Sequence, residues 1–316
     1  MTTLLVRRLL LAALNLLLVS IVIFAAVEVI PGDAAANFLG QDATPAALAA
    51  LRQRLGLDAP AWTRYLAWLS GVLQGDLGQA MSSSRPIVEI LGPRVHNSLI
   101  LSAVALLLYV PISIVPAAVG ARFADRPLDH GISMVTLVIM SMPSFLVATL
   151  LLVTFAWLWP VLPVLSHVTP ASSVRDWTRA LALPAATLAL VMAAYAIRML
   201  RDNLIEVLRA DFVTMAELKG LSPRAVLLRH ALPNALQPTF NITALNIAYL
   251  ASGVVIVEKV FAFPGFGSLL VDALLLKDVP LILATVLLAS LVYVLANLLA
   301  DLGSLLLNPK LRTRRA

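Results

Sequence analysis

The stretch AELKGLSPRAVLLRHALPNA, residues 216–235, is a polar island in a chain that is otherwise mostly apolar. Its residues follow a helix–turn–helix pattern. Gly220 is typical of a helix end, because glycine adopts the left-handed backbone conformation without strain. Ser222 then caps a new helix, and Pro223 takes the first position, where a missing amide proton costs nothing. The sequence therefore predicts a charged helix, RDNLIEVLRADFVTMAELK (201–219), that ends at Gly220. A tight turn and a short second helix follow, and the second helix ends or kinks at Pro233.

The composition of the chain indicates its class. The 316 residues are 60% hydrophobic and 13% charged, with a mean hydropathy of +0.94. A soluble domain does not reach such values, so we expect an integral membrane protein surrounded by lipid. The net charge of +6 is typical of basic cytoplasmic loops, and we expect no nucleic-acid partner. The absence of cysteine excludes disulfides and thiolate metal sites.

Uncharged runs mark the candidate membrane spans, since a helix needs roughly 20 apolar residues to cross the hydrocarbon core. The runs are Leu9–Val27, Val95–Ala121, His130–Val174 (apolar only to about Trp159), Ala180–Ile197, His230–Val257 and Val279–Ala300. The first run is long for a signal peptide and five others follow, so we expect a retained helix. The sequence therefore predicts an all-α integral membrane protein with six transmembrane helices.

The distribution of lysine and arginine predicts the orientation, because these residues are enriched on the cytoplasmic side. Fourteen of the 23 lie at the two ends of the chain and in the connections after the second and fourth runs. Four lie in the short connections on the other side, and five in the long segment before the second run, which translocates largely regardless of charge. We predict that both termini and the opening stretch face the cytoplasm.

The runs divide the chain into three parts. Residues 1–30 hold the N-terminus and the first span, 31–97 form an extracytoplasmic segment with short amphipathic helices, and 98–316 form a five-helix membrane core. The core includes a cytoplasmic loop at 202–238 and an extracytoplasmic re-entrant segment at 259–280.

Two helices are predicted in the extracytoplasmic segment. Thr44 is placed to cap the first, and Gly56 to end it. The second covers about residues 60–74 and spaces its aromatic residues at helical intervals, which indicates anchoring at the membrane interface or packing on the bundle.

The sequence FVTMAELKGLSPRAVLLRHALPNA, Phe212–Ala235, resembles the cytoplasmic coupling loop of ABC-importer permeases of the dipeptide/oligopeptide/nickel transport family. The matching residues are Ala216, Lys219, Gly220, Leu221, Ser222, Val226, Leu227, His230, Ala231, Leu232, Pro233, Asn234 and Ala235. The departures Phe212, Met215 and Leu218 are all apolar. The glutamate of the general permease motif is absent, and Glu217 is not its positional equivalent.

The resemblance extends over the whole chain. Further segments similar to the family are IPGD (30–33), LGLDAPAWTRYLAWLSGVLQGDLG (55–78), RPIVEIL (85–91), SMPSFLVATLLL (141–152), VEKVFAFPGFGSLLVDALLLKDVPLI (257–282) and NPKLR (308–312).

The resemblance implies a type I ABC-importer permease fold in the bacterial inner membrane, with a cytoplasmic coupling helix. It implies a second homologous permease subunit, two ATP-binding subunits and an extracytoplasmic solute-binding protein as partners. ATP and Mg²⁺ are expected on the ATP-binding subunits, because this chain lacks the G-x-x-x-x-G-K-[ST] phosphate-binding motif. We expect no cofactor, metal or catalytic residue on this chain, which is a transport subunit.

The resemblance and the helix pattern together assign candidate coupling residues. They are Ala216, Lys219, Gly220, Ser222, Pro223, Arg224, Leu227, Leu228, His230 and Pro233. Leu227 or Leu228 is expected to fill an apolar pocket on an ATP-binding subunit, with Arg224 and Arg229 at its rim.

The fifth predicted span is unusually polar. Asn241, Asn246, Tyr249 and Ser252 either line a translocation path or form hydrogen bonds between helices. The segment that follows holds the candidate gating residues Glu258, Phe261, Pro264 and Gly265, and for Glu258 a structural or gating role is favoured over a proton relay. Pro264, Gly265 and Gly267 suggest a tight re-entrant turn, which is tolerated where it packs against protein.

The predicted function is permeation of di- or oligopeptides, or related small solutes, by alternating access. Nickel, sugars and opines are alternative cargoes. A self-sufficient secondary transporter is the alternative of another class, although the internal repeats common in such proteins are not apparent. A membrane enzyme would need a cluster of catalytic polar residues at one depth, and none is visible.

Overall fold

The computed structural model describes residues 2–29, 34–40, 44–169 and 171–307, and within them it contains helices but no β-strand. The helices are α1 (Thr2–Val29), α2 (Ala34–Leu39), α3 (Pro45–Leu55), α4 (Ala61–Leu73), α5 (Ile87–Arg122), α6 (Pro127–Ser141), α7 (Ser144–Leu152), α8 (Val174–Leu208), α9 (Asp211–Leu218), α10 (Pro223–Ala225), α11 (Leu232–Val260), α12 (Phe266–Leu275) and α13 (Val279–Leu307). Two π-helical segments, Val153–Leu158 and Val226–Ala231, follow α7 and α10. The fold is therefore all-α, as predicted.

The predicted helix boundaries at Thr44 and Gly56 are confirmed. The Thr44 side chain accepts a hydrogen bond from the Ala47 amide at 3.2 Å and caps α3. Gly56 ends α3 with a left-handed φ of 63°. Helix α4 covers nearly the predicted range, whereas α2 was not predicted from the sequence.

Three helices in the described part of the chain are long and apolar enough to cross a membrane. They lie at Arg7–Val29, Ile87–Arg122 and Val174–Leu208, and correspond to the first, second and fourth predicted runs. The fifth and sixth predicted runs lie in α11 and α13. The segments 30–33 and 308–312, which contributed to the family resemblance, lie outside the described residues.

The third predicted run is not one straight helix. Helices α6 and α7, with the π-helical extension of α7, form a pair bent by 113°. Between them, Met142 is extended, with φ −95° and ψ 136°. Pro143 explains this, because proline disfavours helical geometry at the residue before it and cannot donate an amide hydrogen bond. The bent pair counts as at most one span.

Two compact units make up the chain, and the first comprises Met1–Ser98 and Gly265–Leu295. Within it, α1 and α4 pack through an aromatic cluster of Phe24, Tyr65 and Trp68, with ring centroids 5.4–6.2 Å apart. The Ser20 hydroxyl lies 2.9 Å from the Tyr65 hydroxyl, and Arg64 pairs with Glu28. The aromatic residues of α4 therefore pack against the first helix.

A buried carboxylate joins two distant parts of this unit. Asp278 is fully buried and accepts hydrogen bonds from both the amide and the hydroxyl of Ser82, each at 2.8 Å. Its other oxygen accepts from the Leu281 amide at 3.3 Å, which caps α13. The loop that contains Ser82 is thereby fixed to the start of the last helix.

The second unit comprises Leu99–Pro264 and Ala296–Ala316, and α8 lies at its centre. Ala185, Ala189, Ala193 and Ala196 are completely buried and recur at helical spacing along α8. Small side chains let neighbouring helices approach closely, which favours association in lipid. Helices α6, α7 and α11 pack against α8.

Candidate functional site

The turn between α9 and α10 has the predicted local structure. Gly220 has a φ of +80°, and its amide donates to the Glu217 carbonyl at 2.8 Å. The Ser222 side chain accepts from the Ala225 amide at 3.3 Å, and Pro223 occupies the first turn of α10. The left-handed glycine and the serine cap are therefore confirmed.

The helix after Ser222 does not end at Pro233, which was one of the two predicted outcomes. Helix α10 passes into the π-helical segment Val226–Ala231, and α11 begins at Leu232. The Leu232 amide bonds the Leu227 carbonyl, five residues back. Because Pro233 cannot donate to the carbonyl four residues before it, the wider π turn is a local way to accommodate the ring without ending the helix.

A small apolar cluster joins the two helices of the turn. Val213, Ala216 and Val226 are buried against each other, and Val207 and Leu208 of α8 pack on them. Ala216, a candidate coupling residue, is therefore part of this internal cluster. The segment from α9 to the π-helical turn is a packed extension of α8, and we name residues 211–231 the coupling segment.

Five large apolar side chains of the coupling segment are exposed. They are Phe212 (46% exposed), Met215 (55%), Leu218 (77%), Leu221 (37%) and Leu228 (60%), and we name them the coupling surface. The first three were noted in the sequence only as departures from the family pattern. Their three-residue spacing on α9, offset by one from that of the buried Val213 and Ala216, was the signal that could have identified them.

The remaining candidate coupling residues divide between the surface and the bundle. Leu227 is half-buried and packs on the core of the second unit, so the expectation that it fills a partner's pocket fits Leu228 alone. His230 is half-buried, and its carbonyl accepts from the Asn234 side chain at 2.7 Å. The exposed residues are Lys219, Gly220, Ser222, Pro223, Arg224, Arg229 and Pro233.

Two of the described polar side chains of α11, those of Thr243 and Asn246, contact other helices. The Asn246 side chain donates to the Met192 carbonyl of α8 at 3.3 Å, and the Thr243 and Tyr109 hydroxyls lie 3.0 Å apart. Such contacts are typical of interhelical hydrogen bonding. The side chains of the other candidate path residues lie outside the described part: Asn241, Tyr249 and Ser252.

The segment after α11 is a tight turn anchored by two aromatic residues. Phe261 and Phe263 are completely buried, and the Phe263 ring meets the Trp177 ring edge-on, with centroids 6.5 Å apart. The Phe261 carbonyl accepts from the Ser166 amide at 2.9 Å. Between the two, Ala262 has a φ of +50°, which is uncommon for a residue with a Cβ atom.

The candidate gating residues frame this turn. Glu258 is completely buried at the end of α11, and its carbonyl accepts from the Phe263 amide at 2.8 Å. Pro264 is half-buried, and Gly265 is extended before α12. In the described part of the chain no group of three or more histidine or acidic side chains could hold a metal ion.

Comparison with known proteins gives the same assignment as the sequence motifs. Residues 109–313 match the family described as "Binding-protein-dependent transport system inner membrane component", and residues 1–90 match its N-terminal component. A protein of Sinorhizobium fredii described as a peptide ABC transporter permease is 34% identical over 306 residues, covering 97% of this chain and 98% of that protein. A peptide transport system permease of Brucella abortus is 32% identical over 99% of both chains. The glutathione transport system permease GsiC of Escherichia coli is 32% identical over 97% of this chain and 98% of its own length.

Proposed function

Because the chain belongs to the family of inner membrane components of binding-protein-dependent transport systems, we propose that it is a permease subunit that imports di- or oligopeptides at the expense of ATP. It is a multi-pass protein of the bacterial inner membrane and a transport component. The names of its peptide and glutathione relatives support a peptide-like solute. Nickel, sugars and opines are the alternative cargoes.

The proposed topology is six membrane-spanning helices with both termini in the cytoplasm. The three long apolar helices, the bent α6–α7 pair, α11 and α13 supply the six spans. The excess of lysine and arginine in the ends of the chain and in the coupling segment supports this orientation.

We propose that the coupling surface docks on an ATP-binding subunit. The exposed apolar side chains of this surface are the observation that carries the functional proposal. A capped and internally packed helical pair presents five large apolar side chains outside the proposed spans. Contiguous exposed apolar side chains are a mark of a protein interaction site. Arg224 and Arg229 are exposed beside them, where they would contact the rim of the partner's groove.

The partners follow from the family. The family implies ATPase and solute-binding components. We propose two ATP-binding subunits, which hold ATP and Mg²⁺, a second homologous permease, and a binding protein on the outer side.

The translocation path is proposed to involve Asn241, Tyr249 and Ser252 of α11, on one side of the bundle formed with the second permease. Asn246 is assigned to packing, because its side chain reaches the Met192 carbonyl. The turn from Glu258 to Gly265 is proposed as part of an outer gate, supported by the buried phenylalanines that fix its shape.

Uptake by the reconstituted complex tests the proposal. Proteoliposomes with the chain, its partner permease and the ATP-binding subunits should take up a labelled dipeptide only when Mg-ATP is present at the ATP-binding subunits and binding protein on the opposite side. The chain alone, tested under a proton or sodium gradient, is the control for a secondary transporter. Gradient-driven uptake by the chain alone would refute the proposal.

A further inference from the structure

A buried ion pair lies at the end of the second unit from which the coupling segment extends. Asp129, in the first turn of α6, is 2% exposed, and Arg201 of α8 is 20% exposed. Arg201 donates from Nε to one carboxylate oxygen and from a terminal nitrogen to the other, both at 2.5 Å. The pair is therefore a bidentate fork, which fixes distance and angle together.

Two further elements are built around this pair. The Asp125 amide, in the connection between α5 and α6, donates to Asp129 at 2.9 Å. Gly120 of α5 faces the pair, since a Cβ atom there would lie 3.2 Å from the Asp129 carboxylate and 3.6 Å from the Arg201 side chain. The pair thus joins α5, α6 and α8 at one point.

The part of α8 that carries Arg201 also carries the coupling segment. Val207 and Leu208 follow Arg201 by about 10 Å along the helix axis, at 1.5 Å per residue. Both pack on the main core of the unit and on the apolar cluster of the coupling segment. A displacement of that cluster therefore acts on the end of α8, next to the ion pair.

Stability alone does not explain why two charges are kept at this place. Desolvation offsets much of the attraction in a buried pair, and well-packed apolar residues are often as stabilising. What the fork provides beyond an apolar contact is a fixed geometry, because apolar surfaces can slide past each other while a bidentate pair cannot.

We propose that Asp129 and Arg201 are positioning residues that convey the movement of the coupling segment into α5 and α6, so that ATP hydrolysis is converted into transport. The proposal rests on the function proposed above. It goes beyond docking, because it assigns the step that follows docking to one ion pair inside the chain.

The number of ATP molecules hydrolysed per solute imported tests this assignment in the reconstituted complex. Asp129→Asn keeps the shape of the side chain and an acceptor for the Asp125 amide, but removes the charge. The complex should assemble and hydrolyse ATP, while import falls by about tenfold, within the usual range of coupling between distinct sites. The ATP used per solute should rise by the same factor.

Other variants separate positioning from simple stabilisation. Arg201→Lys keeps the charge but loses the fork, and should give an intermediate ratio. The double variant Asp129→Asn with Arg201→Gln should use no more ATP per solute than Asp129→Asn alone, because either substitution breaks the same interaction. Asp202→Asn is the matched control: Asp202 is an exposed partner of the same arginine, at 2.7 Å, and its loss should leave the ratio unchanged.

Two results would overturn the assignment. One is an unchanged ratio of ATP to solute in Asp129→Asn. The other is loss of assembly in both Asp129→Asn and Arg201→Lys, with hydrolysis and import falling together, which would give the pair a structural role only. Failure of the unaltered complex to import at the expense of ATP would instead refute the proposed function.

Discussion

Truncation of Leu228 is expected to weaken docking of the ATP-binding subunit without unfolding the chain. Leu228 is 60% exposed, and exposed substitutions usually change the free energy of unfolding by less than about 0.5 kcal/mol. Full burial of a leucine side chain contributes about 1.5–3 kcal/mol. Burying the exposed 60% against a partner therefore contributes about 1–2 kcal/mol, which corresponds to a roughly 5- to 30-fold change in Kd.

The dissociation constant of the complex between the chain and the ATP-binding subunits measures this effect. Leu228→Ala should raise Kd by that factor, and Leu228→Asp by more, because it buries an unpaired charge at the interface. Leu227→Ala should instead lower the thermal stability of the chain, since Leu227 packs on the core. Leu73→Ala is the matched control, because Leu73 is 80% exposed on α4 and lies far from the coupling segment in sequence.

The reasoning about the coupling surface would be refuted by Leu228→Asp complexes that bind the ATP-binding subunits with unchanged affinity and import at the normal rate. Weaker binding of the Leu73→Ala chain would likewise show that exposure alone, and not position, determines the effect.

Three further predictions concern topology, the turn and the bundle. The chain has no cysteine, so a single cysteine introduced at the exposed Ser83 or Thr214 can be labelled selectively. A maleimide that cannot cross the membrane, added outside, should label the cysteine at position 83 and not the one at position 214. Labelling at position 214 only would reverse the proposed orientation. Gly220→Val should destabilise the turn by about 1 kcal/mol or more, because the φ of +80° strains a β-branched residue. Import should fall in Gly220→Val but not in Gly220→Asn, since asparagine tolerates this conformation. Equal import by both variants would show that the turn geometry is unimportant. Asn246→Ala removes the hydrogen bond to the Met192 carbonyl and should lower the free energy of unfolding of the complex by about 0.6 kcal/mol. Reduced import with an unchanged free energy of unfolding would place Asn246 in the translocation path instead.

Local features of the fold could be predicted from the sequence. Helix caps and left-handed turn glycines depend only on a few residues that are adjacent in the sequence. The examples here are the caps at Thr44 and Ser222 and the glycines Gly56 and Gly220. Long apolar runs likewise identified the long helices, because the requirement for length and hydropathy is local.

The bend and the π turn were harder to predict. Proline occurs in membrane helices without ending them, so Pro143 by itself does not predict a bend, and the angle of 113° depends on how α6 and α7 pack on α8. A π-helical turn before Pro233 has no equivalent sequence signal, since it depends on how the helix satisfies the bond that proline cannot make.

Long-range polar pairs could not be predicted at all. Asp129 and Arg201 are separated by 72 residues, and Ser82 and Asp278 by 196. Each of these residues alone is compatible with an ordinary loop or helix end. Their pairing depends on which helices are neighbours, and a single sequence carries no record of that.

The hydrogen bonds of Asp278 to Ser82 imply an order of assembly during synthesis. The first unit is discontinuous, because residues 99–264 belong to the second unit and are made between its two parts. Ser82 and Asp278 are 196 residues apart, so at a synthesis rate of about 5–20 residues per second the loop around Ser82 waits roughly 10–40 s for its partner carboxylate to be made. Residues 99–264 of the second unit can pack during this interval, whereas the part of that unit after residue 295 is made only later. A chain that stops before residue 278 therefore lacks the carboxylate that holds the loop around Ser82.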